Sequence, residues 1–534
     1  MDPRLTFLPL CLLAAACLGQ NQPSPPAIKN VIIMIGDGMG PQQVGFLEAY
    51  ARQAPQSIYR TQGRVTAIGE AATQGHLALS LHHPKDGLVV DSACSATQLA
   101  TGVFSGSEMI GIDHQGNQVE TVLEVAKRLG KKTALISDTR ITHATPASFA
   151  SHQPHRSKEN AIAKDLLDLE VDVLLSGGLR NFLPKEINQA PEAEAQTKKQ
   201  FKIPFAISSK RQDSNNLLDV AQQKGYQLAF DRGQLQQIKE AKILGLFANS
   251  GMKDGIQHHQ RDLQSFEREP TLAEMTQKAL TSLEHHPNGF FMMVEGGQID
   301  WAAHNNDAGT MLHELIKFDQ AIATIMSWMK GRDDTLLLIT ADHETGSFGL
   351  SYKSTDLPKS QELPGDVFQG HQFKPYFNFG KPETLDQIFG QTKSFQTLFN
   401  GFHSLPTQQQ STAWLKSAVK GTTGYSITED EASRLIQKVQ NPYYSSGHTY
   451  LGTEEVYHIG DLDAYYPYLA GQQTAILARQ LSTKQNVVWG TGTHTHTPVM
   501  VITLGPKGLK PGLRGLVHHT DVGQYLKGMV QNNP

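Results

Sequence analysis

Carboxylates and imidazoles stand in this sequence where a fold can bring them together. Asp37 follows the apolar run VIIMIG, Glu295 follows FFMMV, and Asp342 and His343 follow LLLITA. If those runs are parallel strands, their carboxyl ends share one edge, which is where open α/β sheets bind ligands. Asp300 and His304, four apart in VEGGQIDWAAHNND, fall on one face of a helix. With an imidazole from elsewhere they make a three-ligand set with an open position, the arrangement of catalytic zinc. THTHTP offers His494 and His496 ahead of another apolar run; residues two apart on a strand face the same way, so both could point into one site. ITHATPASFASHQPHR adds His143, Thr145 and Arg156. A hydroxyl suits a hard cation such as magnesium, and an arginine fork suits two oxygens of a phosphate. In VVDSACSATQLATG, Ser92 directly follows Asp91. Both residue types are favoured at helix starts, so the stretch alone fits a helix cap as well as a nucleophile.

The elements that must position these residues follow a strand, turn, helix grammar. NVIIMIGDGMG reads as a strand buried on both faces. VETVLEVAKRLGKKTALISDT reads as an amphipathic helix closed by Gly130, then a strand from Thr133 to Ile136. Strands from Phe290 to Val294 and from Thr335 to Thr340 each follow a helical segment. This alternation predicts an α/β fold: a large, mostly parallel central sheet flanked by helices on both faces. Two regions break the pattern and read as insertions on the sheet's rim. One, about 185–265, is polar and Gln/Lys-rich; the other, 351–480, carries Pro, Gly, Tyr and Gln and suits a crown or lid. A catalytic domain would then comprise 29–350 and 481–534.

Composition narrows the function classes. A formal charge of −4 with dispersed Lys and Arg argues against a nucleic-acid binder. Residues 1–19 read as an export signal: Arg4, an apolar stretch Leu5 to Leu13, then Ala14 to Ala16, with a polar linker over 20–28. Cys17 resembles a lipoprotein's acylated cysteine, so the expected location is periplasmic, lipid-anchored at the outer membrane, or secreted. Of the three cysteines only Cys94 lies beyond the signal, which rules out an intramolecular disulfide in a processed chain. Cys94 reads as a small buried thiol under the Ser92 helix. The pairs beginning at His82, His258 and His518 read as solvated turns.

IGDGMG, DSACSATQLATG, ITHATPASFASH with HR, VEGGQIDWAAHNND, TADHETG and THTHTP resemble, in order, the motifs of the alkaline phosphatase family. The resemblance runs from about Val31 to Leu350 and resumes at about Trp489. It implies a homodimeric phosphomonoesterase with two zinc ions and one magnesium ion. Asp300, His304 and His494 would hold the first zinc; Asp37, Asp342 and His343 the second. Asp37, Thr145 and Glu295 would hold the magnesium. Ser92 matches the family's nucleophile, Arg156 its phosphate clamp, and Asp91 the residue orienting that arginine. His143 stands where some members carry Asp and others His, so it either ligates the third metal or binds its waters. Trp301 stands where relatives carry Lys, His or Trp, which bears on how phosphate is held. His496 competes with His494, and the spacing to Gly505-Pro506 favours His494. The long interval between His343 and His494 fits a crown that could embrace a second subunit.

Two other readings remain to be separated by experiment. A phosphodiesterase of the same superfamily shares part of the metal site, whereas a sulfatase needs a nucleophile in a C/S-x-P-x-R context that CSATQ does not supply. An exported, non-catalytic metal- or phosphate-binding protein would keep the ligands without needing Ser92 or Arg156.

Overall fold

A computed structural model describes residues 27–531 apart from 240–241, 261–267, 461 and 510–511. The expected export signal and Cys17 lie outside the described residues. A single sheet of ten strands organises the chain: β1 (Asn30–Gly36), β2 (His76–Leu81), β3 (Lys132–Arg140), β4 (Val173–Gly177), β5 (Tyr226–Ala229), β6 (Lys242–Leu246), β7 (Phe290–Gly296), β8 (Thr335–Ala341), β9 (Val499–Leu504) and β10 (Gly515–His518). Their spatial order is β10-β2-β9-β8-β1-β7-β3-β4-β6-β5. Neighbours are parallel throughout except at β9, which runs antiparallel to both β8 and β2.

The continuous apolar runs follow from this position in the middle of the sheet. Successive side chains point to opposite faces, and both faces are covered. Ile32, Met34, Met292, Val294, Leu337 and Ile339 join a core beneath the helices Pro41–Gln53, Leu272–Leu283 and Ala308–Met329. Val31, Ile33, Ile35, Phe291, Met293, Leu336 and Leu338 join the opposite core with Ser92–Thr101, Val122–Arg128 and His519–Val530. The β1, β7 and β8 strands are buried at every position, so no polar alternation survives in their sequence.

The polar stretch 185–265 is more than a rim insertion. It supplies β5 and β6, the two strands that finish one edge of the sheet. At four and five residues they are too short to stand out from their Gln- and Lys-rich surroundings. The segment after β8 forms a cluster of its own from Phe395, Phe399, Phe402, Leu415 and Val419, closed by Leu477 and Leu481 of the helix Leu469–Gln485. Among the described residues no helix is long and apolar enough to cross a membrane.

Candidate active site

The register of the central strands assembles the carboxylates. Gly36 at the end of β1 pairs with Gly296 of β7 and Ala341 of β8, and Ile35 pairs with Glu295. Asp37 and Asp342 therefore leave the sheet side by side with Glu295 next to them, all three fully buried. Asp342 accepts hydrogen bonds through Oδ1 from the backbone N–H of Gly38 (3.0 Å) and of His343 (2.9 Å). Gly38 adopts φ +71°, and a β-carbon there would lie 2.9 Å from the Asp300 Cα. Glycine thus lets the turn after β1 approach the neighbouring helix. Glu295 Oε2 accepts from Ser137 Oγ and, at 3.3 Å, from Thr139 Oγ1, both on β3.

That neighbouring helix, Gln298–His304, carries Asp300 and His304 on one face. His304 Nε2 lies 3.2 Å from Asp300 Oδ2, and Asp300 Oδ1 accepts from Thr345 Oγ1 at 2.5 Å. The two-residue strand His494–Thr495 pairs with Glu344–Thr345 and delivers His494 from the far end of the chain. Its Nδ1 faces the Val90 carbonyl at 2.8 Å, and the His304 Nδ1 faces the Gly492 carbonyl at 2.7 Å. Each Nδ1 therefore carries the proton, leaving Nε2 as the lone-pair nitrogen. The two Nε2 atoms face each other at 3.1 Å. Only a cation or a shared proton makes that approach favourable.

Ser92 opens the helix Ser92–Thr101 and Asp91 caps it, accepting from the backbone N–H of Ala93 and Cys94. Capping is thus the work of Asp91, and the Ser92 hydroxyl is turned elsewhere, 3.1 Å from His343 Nε2. Asp91 Oδ2 also accepts from Arg156 Nη1 at 2.9 Å, and Arg156 Nη2 lies 3.3 Å from His143 Nε2. Glu108 pins both partners, donating its N–H to Asp91 Oδ1 and accepting the Arg156 N–H at its carbonyl. Cys94 is fully buried, and burial pushes its thiol far above the ordinary range, which makes it inert.

The electrostatics fit a polynuclear metal site. Burial, then the neighbouring Asp342, Asp300 and Glu295 carboxylates, push Asp37 well above the usual carboxylate range. Burial and Asp300 push Asp342 up to about 7; burial and Asp138 push Glu295 up to about 8. Against burial, the His304, His494 and His343 imidazoles hold Asp300 far below its ordinary value. Both Asp37 oxygens, Asp342 Oδ2, Glu295 Oε1, Thr145 Oγ1 and His143 Nδ1 are buried without hydrogen-bond partners. Clustered buried carboxylates with unpaired oxygens are costly unless cations satisfy them. Three donor sets have their ligand atoms within 4.8 Å of one another: Asp300, His343 and His494; Asp37, Asp342 and His343; Asp37, His143 and Glu295.

The sequence matches the alkaline phosphatase family over residues 28–532. The chain belongs to that family. It is 35% identical over 333 residues to alkaline phosphatase 3 of Bacillus subtilis, an alignment covering 60% of this chain and 62% of that protein. It is 30% identical over 370 residues to the Escherichia coli alkaline phosphatase, covering 62% and 73%. The chain thus spans about three fifths of the length of the Bacillus relative. The crystal structure of Thermus thermophilus alkaline phosphatase superposes with a TM-score of 0.73 at 25% identity, covering 99% of this chain and 96% of that one. The cold-active enzyme of a Shewanella species superposes with a TM-score of 0.65 at 25% identity, covering 95% and 100%.

Within this alkaline phosphatase fold, two expectations from the sequence are corrected. His496 does not share a site with His494. The strand ends at Thr495, and the His496 ring lies 5.0 Å from that of His82 and 5.4 Å from that of His83. Nor are the histidine pairs all solvated turns: His82 and His519 are fully buried and His258 nearly so. His519 supports the site, its Nε2 facing the Asp342 carbonyl at 3.0 Å and its Nδ1 facing Ser80 Oγ at 2.7 Å. Trp301 sits edge-on to His143 at 5.8 Å, and Gly251 makes room for its ring.

One supporting group carried no sequence signal. Lys317, buried on the helix Ala308–Met329, pairs with Asp138 at 2.9 Å and with Glu314. Asp138 in turn accepts the Gly297 N–H at 2.8 Å, fixing the turn after Glu295. Lys317→Met leaves two buried carboxylates without a counter-charge. It is expected to lower the unfolding free energy by about 3–5 kcal/mol in a denaturant titration at fixed metal concentration. A loss below about 1 kcal/mol would show that water reaches the pair.

Proposed function

We propose that this chain hydrolyses phosphate monoesters to an alcohol and inorganic phosphate through a phosphoserine on Ser92. The observation that carries the reading is the placement of Ser92 Oγ. It stands at a helix N-terminus against His343 of the donor sets, next in the chain to Asp91, which orients the Arg156 fork. Asp300, His304 and His494 would hold one zinc ion, Asp37, Asp342 and His343 a second, and Asp37, Thr145 and Glu295, with His143 beside them, a magnesium ion. When bound, these ions supply positive charge that stabilises serine and leaving-group alkoxides and acidifies the attacking water.

Ser92 Oγ gives up its proton to solvent and attacks phosphorus in line with the ester oxygen; the O–P bond to serine forms as the P–O bond to the alcohol breaks, and the departing alkoxide takes a proton from solvent. Water then attacks the phosphoserine from the vacated side, releasing phosphate and restoring the hydroxyl. Arg156 holds two equatorial oxygens through both displacements, and the dipole of the Ser92 helix favours the same negative charge. His519 and Ser95, whose Oγ donates to the Asp342 carbonyl at 2.6 Å, hold Asp342 in place.

The reading is tested by hydrolysis of a chromogenic phosphate monoester after chelation and reloading with zinc and magnesium. Activity that returns with metal supports it; metal binding without turnover of monoesters would favour a diesterase or a binding protein. Arg156→Ala is expected to weaken inhibition by inorganic phosphate about 10- to 100-fold, the worth of a charge-assisted bidentate contact. Its metal content by plasma spectrometry should stay unchanged. Loss of metal together with affinity would assign the arginine a structural role instead. We further propose that the protein is exported and dimeric, with the 351–480 segment as its crown.

A further inference from the structure

From the 351–480 segment, Tyr468 reaches the active site. Its ring stands edge-on to His304, centroids 5.0 Å apart at 79°, and Tyr450 stands edge-on to Tyr468 at 5.0 Å and 89°. Tyr468 is partly exposed, and Tyr450 is 48% exposed. Arg156, Asp91 and Asp300 all lie within electrostatic reach of the Tyr468 hydroxyl, which together with the His304 contact sets the ring beside the groups assigned to phosphate and metal. Its place is fixed. The Tyr465 carbonyl accepts from the Gly492 N–H at 3.2 Å and from Thr491 Oγ1 at 3.0 Å. Gln472 Nε2 donates to the Tyr466 carbonyl, and Thr474 Oγ1 donates to Asn305 Oδ1, each at 3.0 Å. The tyrosine is therefore tied to the two elements that carry His304 and His494. Trp301, also partly exposed, lies on the helix Gln298–His304 and meets His143 edge-on, so one aromatic ring stands on the His304 side of the site and another on the His143 side.

The geometry points to Tyr468, backed by Tyr450, as a leaving-group subsite that selects monoesters of planar aromatic alcohols. The inference rests on the proposed monoesterase reading: Ser92 Oγ lies against His343 of one donor set, so an in-line displacement sends the departing oxygen towards the Asp300, His304 and His494 side. An aryl group leaving on that side meets the tyrosine rings, whereas a small alkyl group leaves them in water. The gain expected from one aromatic contact is about tenfold in affinity or less.

Calorimetric titration of zinc- and magnesium-loaded protein with phenylphosphonate and methylphosphonate tests this directly, since both carry the phosphate-like head and differ only in the group beyond it. The native protein should prefer phenylphosphonate by about three- to tenfold. Y468A should lose that preference with methylphosphonate affinity within about twofold of native, and Y468F, which keeps the ring, should retain it. Matching kcat/KM ratios for phenyl and ethyl phosphate should follow the same order. Equal affinities in the native protein, or a preference that survives in Y468A, would overturn the subsite. Native protein that binds neither phosphonate would overturn the monoesterase reading and the subsite with it.

Discussion

Ser92→Ala is expected to lower kcat for phosphate monoesters by about a thousandfold or more, with bound metal and overall fold unchanged. The hydroxyl has no structural duty that alanine would forfeit. Asp91, not Ser92, caps the helix, and the Ser92 oxygen faces only the His343 imidazole. Removing it therefore deletes a reacting atom and little else, and melting temperature should move by no more than about 1–2 °C. Residual turnover near the native rate would mean that water attacks the ester directly, with the metal donor sets and Arg156 sufficient by themselves.

Stripping the metal ions is expected to have the second largest effect, on activity and stability together. Three ions held about a thousandfold above their dissociation constants would contribute roughly 12 kcal/mol, or about 10 °C in melting temperature for a chain of this size. The stripped protein should also respond to pH in a characteristic direction. Asp342 and Glu295 are raised to about 7 and about 8 by burial and neighbouring carboxylates, and Asp37 is raised in the same sense. The folded state then binds more protons than the unfolded one, so this stabilisation is full below about pH 4 and is lost as pH rises through 7 and 8. Chelated protein should melt at a lower temperature at pH 9 than at pH 6, and reloading should restore most of the difference at pH 9. An unchanged melting temperature after verified metal removal would mean that the carboxylates find their counter-charge within the protein.

Legibility from the sequence followed burial. β1, β7 and β8 are enclosed on both faces, so they survive as largely apolar runs, and the acids at their ends stand out against them. β5, with four residues and one exposed position, gives no such contrast, which is why an edge of the sheet was hidden in a Gln-rich stretch. The Asp300 and His304 pair was visible through helical spacing alone. His519 and His82 were not, because their burial comes from β2 and β10 and the chain crossing beside them rather than from any local pattern. Tyr468 lies 164 residues from His304 in a segment with no periodic signal, and Lys317 looks like any helical lysine until Asp138 is placed opposite it.

The decisive experiment is acid quenching of metal-loaded protein during turnover of a phosphate monoester, followed by peptide mass analysis. One phosphoryl group on the peptide containing Ser92, absent from the Ser92→Ala protein, is the predicted result. Continued turnover with no phosphorylated peptide, or with the phosphoryl group on another residue, would contradict the assignment of Ser92 as the nucleophile.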